Sequence, residues 1–122
     1  MKGVGEIEMK NRNSTRFYSS RQEKKIAKTV NGRVQPNSGA TLFSKGDIKT
    51  DKWLFEAKTC MKEQESFSIK REWLDKLKSE SFAMNKDFSA LVFNFGDKIG
   101  ENFYILSEQN FKQILLLIEE KE

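Results

Sequence analysis

Residues Ser44–Thr59 read SKGDIKTDKWLFEAKT, and the fold turns on how this stretch is read. Asp47 stands just ahead of a strand-like run, and Glu56 and Lys58 stand inside the next one. Side chains alternate faces along a strand, so Leu54, Glu56 and Lys58 share one face and Trp53, Phe55 and Ala57 the other. Two charges on a face that a sheet normally buries are unfavourable unless they act together or reach water. "TLFSKGDIK" and "KWLFEAKT", with Thr50-Asp51 at the bend, predict a hairpin-like unit that would bring Asp47 toward Glu56. The stretch is either a solvated charge ladder or a metal site.

Upstream, Ser19 or Ser20 can cap a helix through RQEKKIAKTV, which Asn31-Gly32 would end in a left-handed turn. Ile26 and Val30 would face the core, with Glu23 about one turn before Ile26 and Ala27. Residues 1–18 show little periodicity and carry Gly3, Gly5 and many polar side chains. They predict a basic, partly flexible arm ahead of a single domain at 19–122. "RVQ" is a short strand, broken by the turn residues of "PNSGA".

Downstream, Ser68 is expected to cap a helix whose Ile69, Trp73, Leu74 and Leu77 form one apolar stripe. "SALVFNF" and "ENFYIL" are strands joined by a turn around Asp97–Gly100. Ser107 caps a last helix with Phe111, Ile114, Leu115 and Ile118 as its inward stripe. Leu116 and Leu117 widen that arc, which points to deeper burial or to a dimer contact. The order is helix, three strands, helix, two strands, helix. It predicts a small α/β domain with a central mixed sheet flanked by helices.

The chain of 122 residues is long enough for one core. It has no histidine and a single cysteine, Cys60. That excludes His-based nucleophile triads, His-ligated zinc, Cys-rich zinc clusters and an internal disulfide. Cys60 is expected to be a small packed residue. No apolar run approaches the ~20 residues of a spanning helix, and no signal-peptide core opens the chain, so a cytoplasmic location is expected. The net charge of +4 is uneven: residues 1–33 hold nine Lys/Arg against three Glu, leaving the remainder at −2. A basic N-terminal third of this kind suits a polyanion.

Chemistry without imidazole or reactive thiol has to run on carboxylates, lysines and a hard metal. Phosphodiester hydrolysis needs an activated water, neutralised phosphate charge and a stabilised leaving oxygen, and Mg²⁺ can supply all three. Mg²⁺ takes one or two carboxylates plus substrate oxygens and waters. Asp47 and Glu56 meet that need on adjacent strands, with the Ala57 carbonyl as a further ligand. Lys58, on the same side as Glu56, can orient water or offset charge on the phosphate.

Gly46-Asp47 with Glu56-Ala57-Lys58 resembles the PD-(D/E)xK nuclease superfamily. "RVQPNSGA" followed by "GDI" and "FEAK" is similar to archaeal and phage Holliday-junction resolvases over roughly residues 20 to 95. Gly46 stands where the family usually has proline. The glutamine often found on the helix after the lysine has no clear counterpart near Glu72 and Trp73. The resemblance implies Glu23 as the first acid, assisting Asp47 and Glu56 at the metal, and Ser38 beside the scissile phosphate. It implies Mg²⁺, with Mn²⁺ able to substitute, a four-way or otherwise branched DNA substrate, and a homodimer. It also implies a nucleoid-associated setting in a prokaryotic or phage-infected cell. Arg21, Lys24, Lys28, Arg33, Lys45 and Lys49 are the expected DNA contacts.

Other readings remain open on the residues alone. Glu56 and Lys58 can be a solvated pair worth ~0.2–1 kcal/mol, Glu23 a surface acid on its helix, and Ser38 a plain turn residue. A nicking, flap or restriction-type nuclease, or a non-catalytic nucleic-acid-binding module, fits the same pattern. The Phe and Trp residues mostly fit core stripes, so no base-stacking platform is expected.

Overall fold

The computed structural model describes residues 15–35, 47–96 and 100–120. The expected arm lies largely outside these residues, as do Ser38 and Lys45. Within them the chain is mixed α/β: helix α1 (Thr15–Val30), strands β1 (Arg33–Val34), β2 (Ile48–Lys49) and β3 (Trp53–Lys58), helix α2 (Arg71–Ala83), strands β4 (Phe88–Phe93) and β5 (Phe103–Ile105), and helix α3 (Glu108–Glu120). The five strands form one sheet in the order β1-β2-β3-β4-β5. All neighbours are antiparallel except β3 and β4, which run parallel and are joined by α2 as the crossover. Among the described residues no helix is long and apolar enough to cross a membrane.

The alternation read in β3 divides the core in two. Phe55 joins Ile26, Ile48, Ala90 and Val92 beneath α1, with Ala27 and Val30 packed on them. Leu54 joins Leu77 and Leu91 beneath α2, with Trp73, Leu74 and Ile105 around them. β4 is covered on both faces, which is why its sequence reads as an apolar run rather than an alternation. Cys60 is buried, its Sγ donating to the Lys62 carbonyl at 2.8 Å.

Helix ends follow local chemistry in two places and depart from it in two. Asn31 adopts φ 57°, and the Gly32 N–H reaches back to the Ala27 carbonyl at 2.8 Å, a Schellman closure. A Cβ on Gly32 would lie 2.9 Å from the Lys49 carbonyl, so the close approach of α1 to β2 needs glycine there. At α3, Ser107 Oγ accepts the Asn110 N–H at 3.1 Å, the expected N-cap. By contrast α1 starts at Thr15, four residues before the expected serine cap, and takes in the end of the region read as an arm. α2 starts after Lys70, which has extended backbone and no side-chain cap bond, rather than at Ser68.

The largest departure is α3. Its apolar stripe does not face inward: none of its residues is buried, and Phe111, Leu115 and Ile118 are 55%, 42% and 55% exposed. Leu116 and Leu117 are about half exposed as well. The helix is tied to the sheet by its first turn, where Asn110 Oδ1 accepts the Ser89 N–H at 3.1 Å. Gln109, Asn110 and Gln113 line the groove against α2. Of the predicted stripe, Ile114 is half-buried.

Candidate functional site

The site is built where the β2–β3 ladder ends. The last paired residues are Ile48 and Phe55. One step upstream, the Asp47 N–H donates to the Phe55 carbonyl at 2.9 Å. Asp47 Oδ2 then accepts the Ala57 N–H at 2.7 Å, so the carboxylate satisfies the next edge amide in place of a strand. The Asp47 carbonyl takes the Gln35 N–H at 2.7 Å, which ties the same residue to the end of β1. Three hydrogen bonds thus hold Asp47 beside the Glu56–Lys58 segment.

Glu56 lies on the α2 face of β3 and is half-buried. Burial first, then the Asp47 carboxylate and Glu80, push its carboxyl from 4.5 to about 7, against the pull of Lys58 and Lys76. Glu23, on α1, is also half-buried and raised to about 7 by burial and by Asp47. Asp47 is therefore the shared neighbour of acids that come from opposite layers of the fold. Asp47 thus couples to two carboxylates that are 33 positions apart in the chain and do not act on each other.

Lys58 follows Glu56 on the same face, and its ammonium lies 4.3 Å from the centroid of the Trp73 ring. A cation over indole is attracted by the ring's quadrupole. Lys76 and Glu80 pair at 3.8 Å one turn apart on α2. With Glu56, Lys58, Glu72 and Trp73 they line a cleft of about 500 Å³ between β3 and α2. Sequence reasoning missed Glu80 and Lys76. Their i, i+4 spacing is visible, but only the crossover turns them toward Glu56.

Gln22 was also missed, and it connects the layers. Its Nε2 donates to the Lys58 carbonyl at 3.0 Å and more weakly to Asn102 Oδ1 at 3.4 Å, while its Oε1 accepts from Thr59 Oγ1 at 3.1 Å. Asn94 Nδ2 donates to the same Asn102 oxygen at 3.2 Å. Gln22 is 5% exposed. Gln22 thus ties the turn of α1 that carries Glu23 to the end of β3.

Of the expected DNA contacts, Arg21, Lys24 and Lys28 are exposed on α1. Arg33 and Lys49 stand directly opposite each other across β1 and β2. Like charges in that position repel and favour an anion between them. The structure sets Glu23 and Glu56 each within electrostatic reach of Asp47 and Lys58 within reach of Glu56, and it pairs Arg33 with Lys49.

Among the described residues no three acidic or thiol side chains form a group that could hold an ion. The all-oxygen donor set and the shared Asp47 nevertheless suit a hard cation that takes two carboxylates and completes its shell with water and substrate. Comparison with protein-family models, curated proteins and solved structures gives no match for this chain. Its chemistry is accordingly argued from these residues.

Proposed function

We propose that this chain is a Mg²⁺-dependent DNA endonuclease on a small restriction-endonuclease-like domain, cutting branched DNA in the manner of a Holliday-junction resolvase. One observation carries the reading: burial and the charge of a common neighbour, Asp47, raise both Glu23 and Glu56 to about 7, and Lys58 stands by Glu56. Crowded, half-buried acids resist ionising together, and a bound divalent cation reverses that penalty. The element order supports the same reading, as do the basic residues around the cluster.

Asp47 and Glu56 would hold Mg²⁺, or Mn²⁺ in its place, with Glu23 assisting. When bound, the ion supplies charge neutralisation at the phosphate and a more acidic water. Lys58 offsets negative charge on the phosphate oxygens and orients the attacking water, its ammonium placed over Trp73. Arg33, Lys49 and the α1 cations hold flanking phosphates, which positions the strand without reading sequence. Ser38 and Lys45 belong to the proposal as further phosphate contacts. A nucleoid-associated location in the cytoplasm of a prokaryotic or phage-infected cell follows from such a substrate.

The test is cleavage of a labelled four-way junction beside a matched linear duplex, in Mg²⁺ or EDTA, by wild type and Glu56→Ala. Paired nicks near the branch point, lost in EDTA and in the variant, are expected. Equal cutting of both substrates would leave a nuclease without junction preference. Tight binding with no metal-dependent cutting would leave a binding module.

Symmetric cutting of two strands calls for a two-fold homodimer. The reading is supported by α3, which leaves Phe111, Leu115, Leu116, Leu117 and Ile118 exposed. Contiguous exposed apolar surface of this kind marks an interaction face. Wild type is expected to elute with light-scattering mass twice that of the chain, and Leu115→Glu with Ile118→Glu to halve it without loss of helix. A wild-type monomer at micromolar concentration would remove α3 as a dimer contact and with it the paired-nick geometry.

A further inference from the structure

We propose that an aromatic shelf beside Lys58 receives an unstacked nucleobase of the strand being cut. The nuclease reading above supplies only the identity of the ligand, single-stranded or splayed DNA; the shelf itself stands on separate geometry.

The register places Lys58 opposite Phe93, and Phe93 opposite Phe103. Paired residues on neighbouring strands share a face, so the three side chains form one row across β3, β4 and β5. They occupy the α2 face, where the rows before them hold Glu56, Leu91 and Ile105. Adjacent strands are ~4.8 Å apart, which sets Lys58 and Phe103 roughly 10 Å from each other at the backbone. That separation suits a phosphate held at one end of the row and a base lying on the other.

The aromatic end is continuous. Phe67 stacks on Phe93 with centroids 5.0 Å apart, and Phe103 packs at 5.8 Å from Phe93 and 5.7 Å from Phe95. On the other side Phe67 lies 6.4 Å from Trp73, the ring that carries the Lys58 ammonium. Lys70 stands 5.8 Å from the same indole. The cluster is thus bounded by two cations where it meets the cleft.

It is also not closed. Phe103 keeps 40% of its surface in solvent. Among the described residues α2 packs on Leu54 and Leu91, farther along the sheet. Rings packed against one another, partly exposed and edged by lysines are what a sequence-tolerant base platform requires. The core-stripe reading of these aromatics holds for Phe55 but not for Phe103.

The experiment measures binding by fluorescence anisotropy, in Ca²⁺ to avoid cutting, of labelled oligothymidine and of a labelled duplex of equal length. Phe103→Leu keeps apolar volume and removes the ring face. It is expected to weaken single-strand binding roughly five- to a hundredfold, the range of one lost base–aromatic stack, with duplex binding unchanged within about twofold. Phe103→Tyr is expected to restore the preference. Equal losses on both DNAs, or no loss on the single strand, would overturn the shelf. Cleavage by wild type is scored separately: a strand preference without metal-dependent cutting keeps the shelf and removes the nuclease, and the converse keeps the nuclease alone.

Discussion

Glu56→Gln should make the metal-free protein more stable at pH 8 while abolishing the cleavage proposed for it. In the unfolded chain this carboxyl ionises near 4.5, and in the fold near 7. Between those values the folded protein keeps a proton that the unfolded chain has released. Stability therefore falls as pH rises through that window, and the loss persists above it. At ~1.4 kcal/mol per pH unit, Glu56 accounts for up to ~3 kcal/mol; Glu23 adds a smaller share in the same direction, since solvent screens its more exposed carboxyl.

Urea unfolding in EDTA at pH 5 and pH 8 measures the difference. Wild type should lose most of that free energy, and Glu56→Gln should lose only the part due to Glu23. Mg²⁺ at pH 8 should raise the wild-type midpoint by mass action and leave that of the variant nearly unmoved. Cleavage should fall about a thousandfold or more, equivalent to the several kcal/mol that a displaced ion forfeits. A wild-type stability flat between pH 5 and 8 would mean that Glu56 is solvated, and the metal reading would lose its main support.

These expectations rest on features that differ in how far they can be read from the chain. The hairpin was legible because alternation in KWLFEAK is strong and local, and Thr50 closes the bend itself: its Oγ1 accepts the Trp53 N–H at 3.0 Å. The two-sided sheet followed, since β3 and β4 cannot bury apolar residues on both faces without a layer on each side. The ends of α1 and α3 carried their signals at Asn31-Gly32 and Ser107. Ser68 misled because a capping residue only permits a helix start. The start of α2 is set by Trp73, Leu74 and Leu77 docking on Leu54 and Leu91, and no local signal encodes that.

The same distinction separates the site residues. Asp47, Glu56 and Lys58 could be found because strand period and hairpin spacing bring them together within twelve residues. Glu23 was reachable only through resemblance, since its approach to Asp47 depends on how α1 lies across the sheet. Periodicity identified the apolar arc of α3 but could not say what lies against it. A stripe at helical spacing looks the same whether it packs on its own domain or waits for another chain. Glutamine in "RQEKK" is indistinguishable from the solvated residues around it, so Gln22 left no trace.

Gln22→Leu is for that reason the most informative change outside the acids. Leucine matches the buried volume but leaves the Lys58 carbonyl, the Thr59 hydroxyl and Asn102 short of a partner at once. Each buried polar group stripped of its bond costs about 1–3 kcal/mol. Relaxation and entry of water would keep the total below a simple sum, so a loss of about 2–4 kcal/mol is expected. Gln22→Glu retains an acceptor for Thr59 but puts a fourth acid near Asp47 and Glu23, and should be worse at pH 8 than at pH 5. The functional consequence separates this residue from an ordinary core position. With α1 free to shift, Glu23 loses its fixed relation to Asp47, and Mg²⁺ should be needed at higher concentration even where the variant is fully folded. Leu54→Ala, of similar destabilisation but on the α2 side, is the control: its Mg²⁺ requirement should stay at the wild-type level. If both variants shift the metal requirement equally, Gln22 is a packing residue, and the lock between α1 and β3 has no part in setting Glu23.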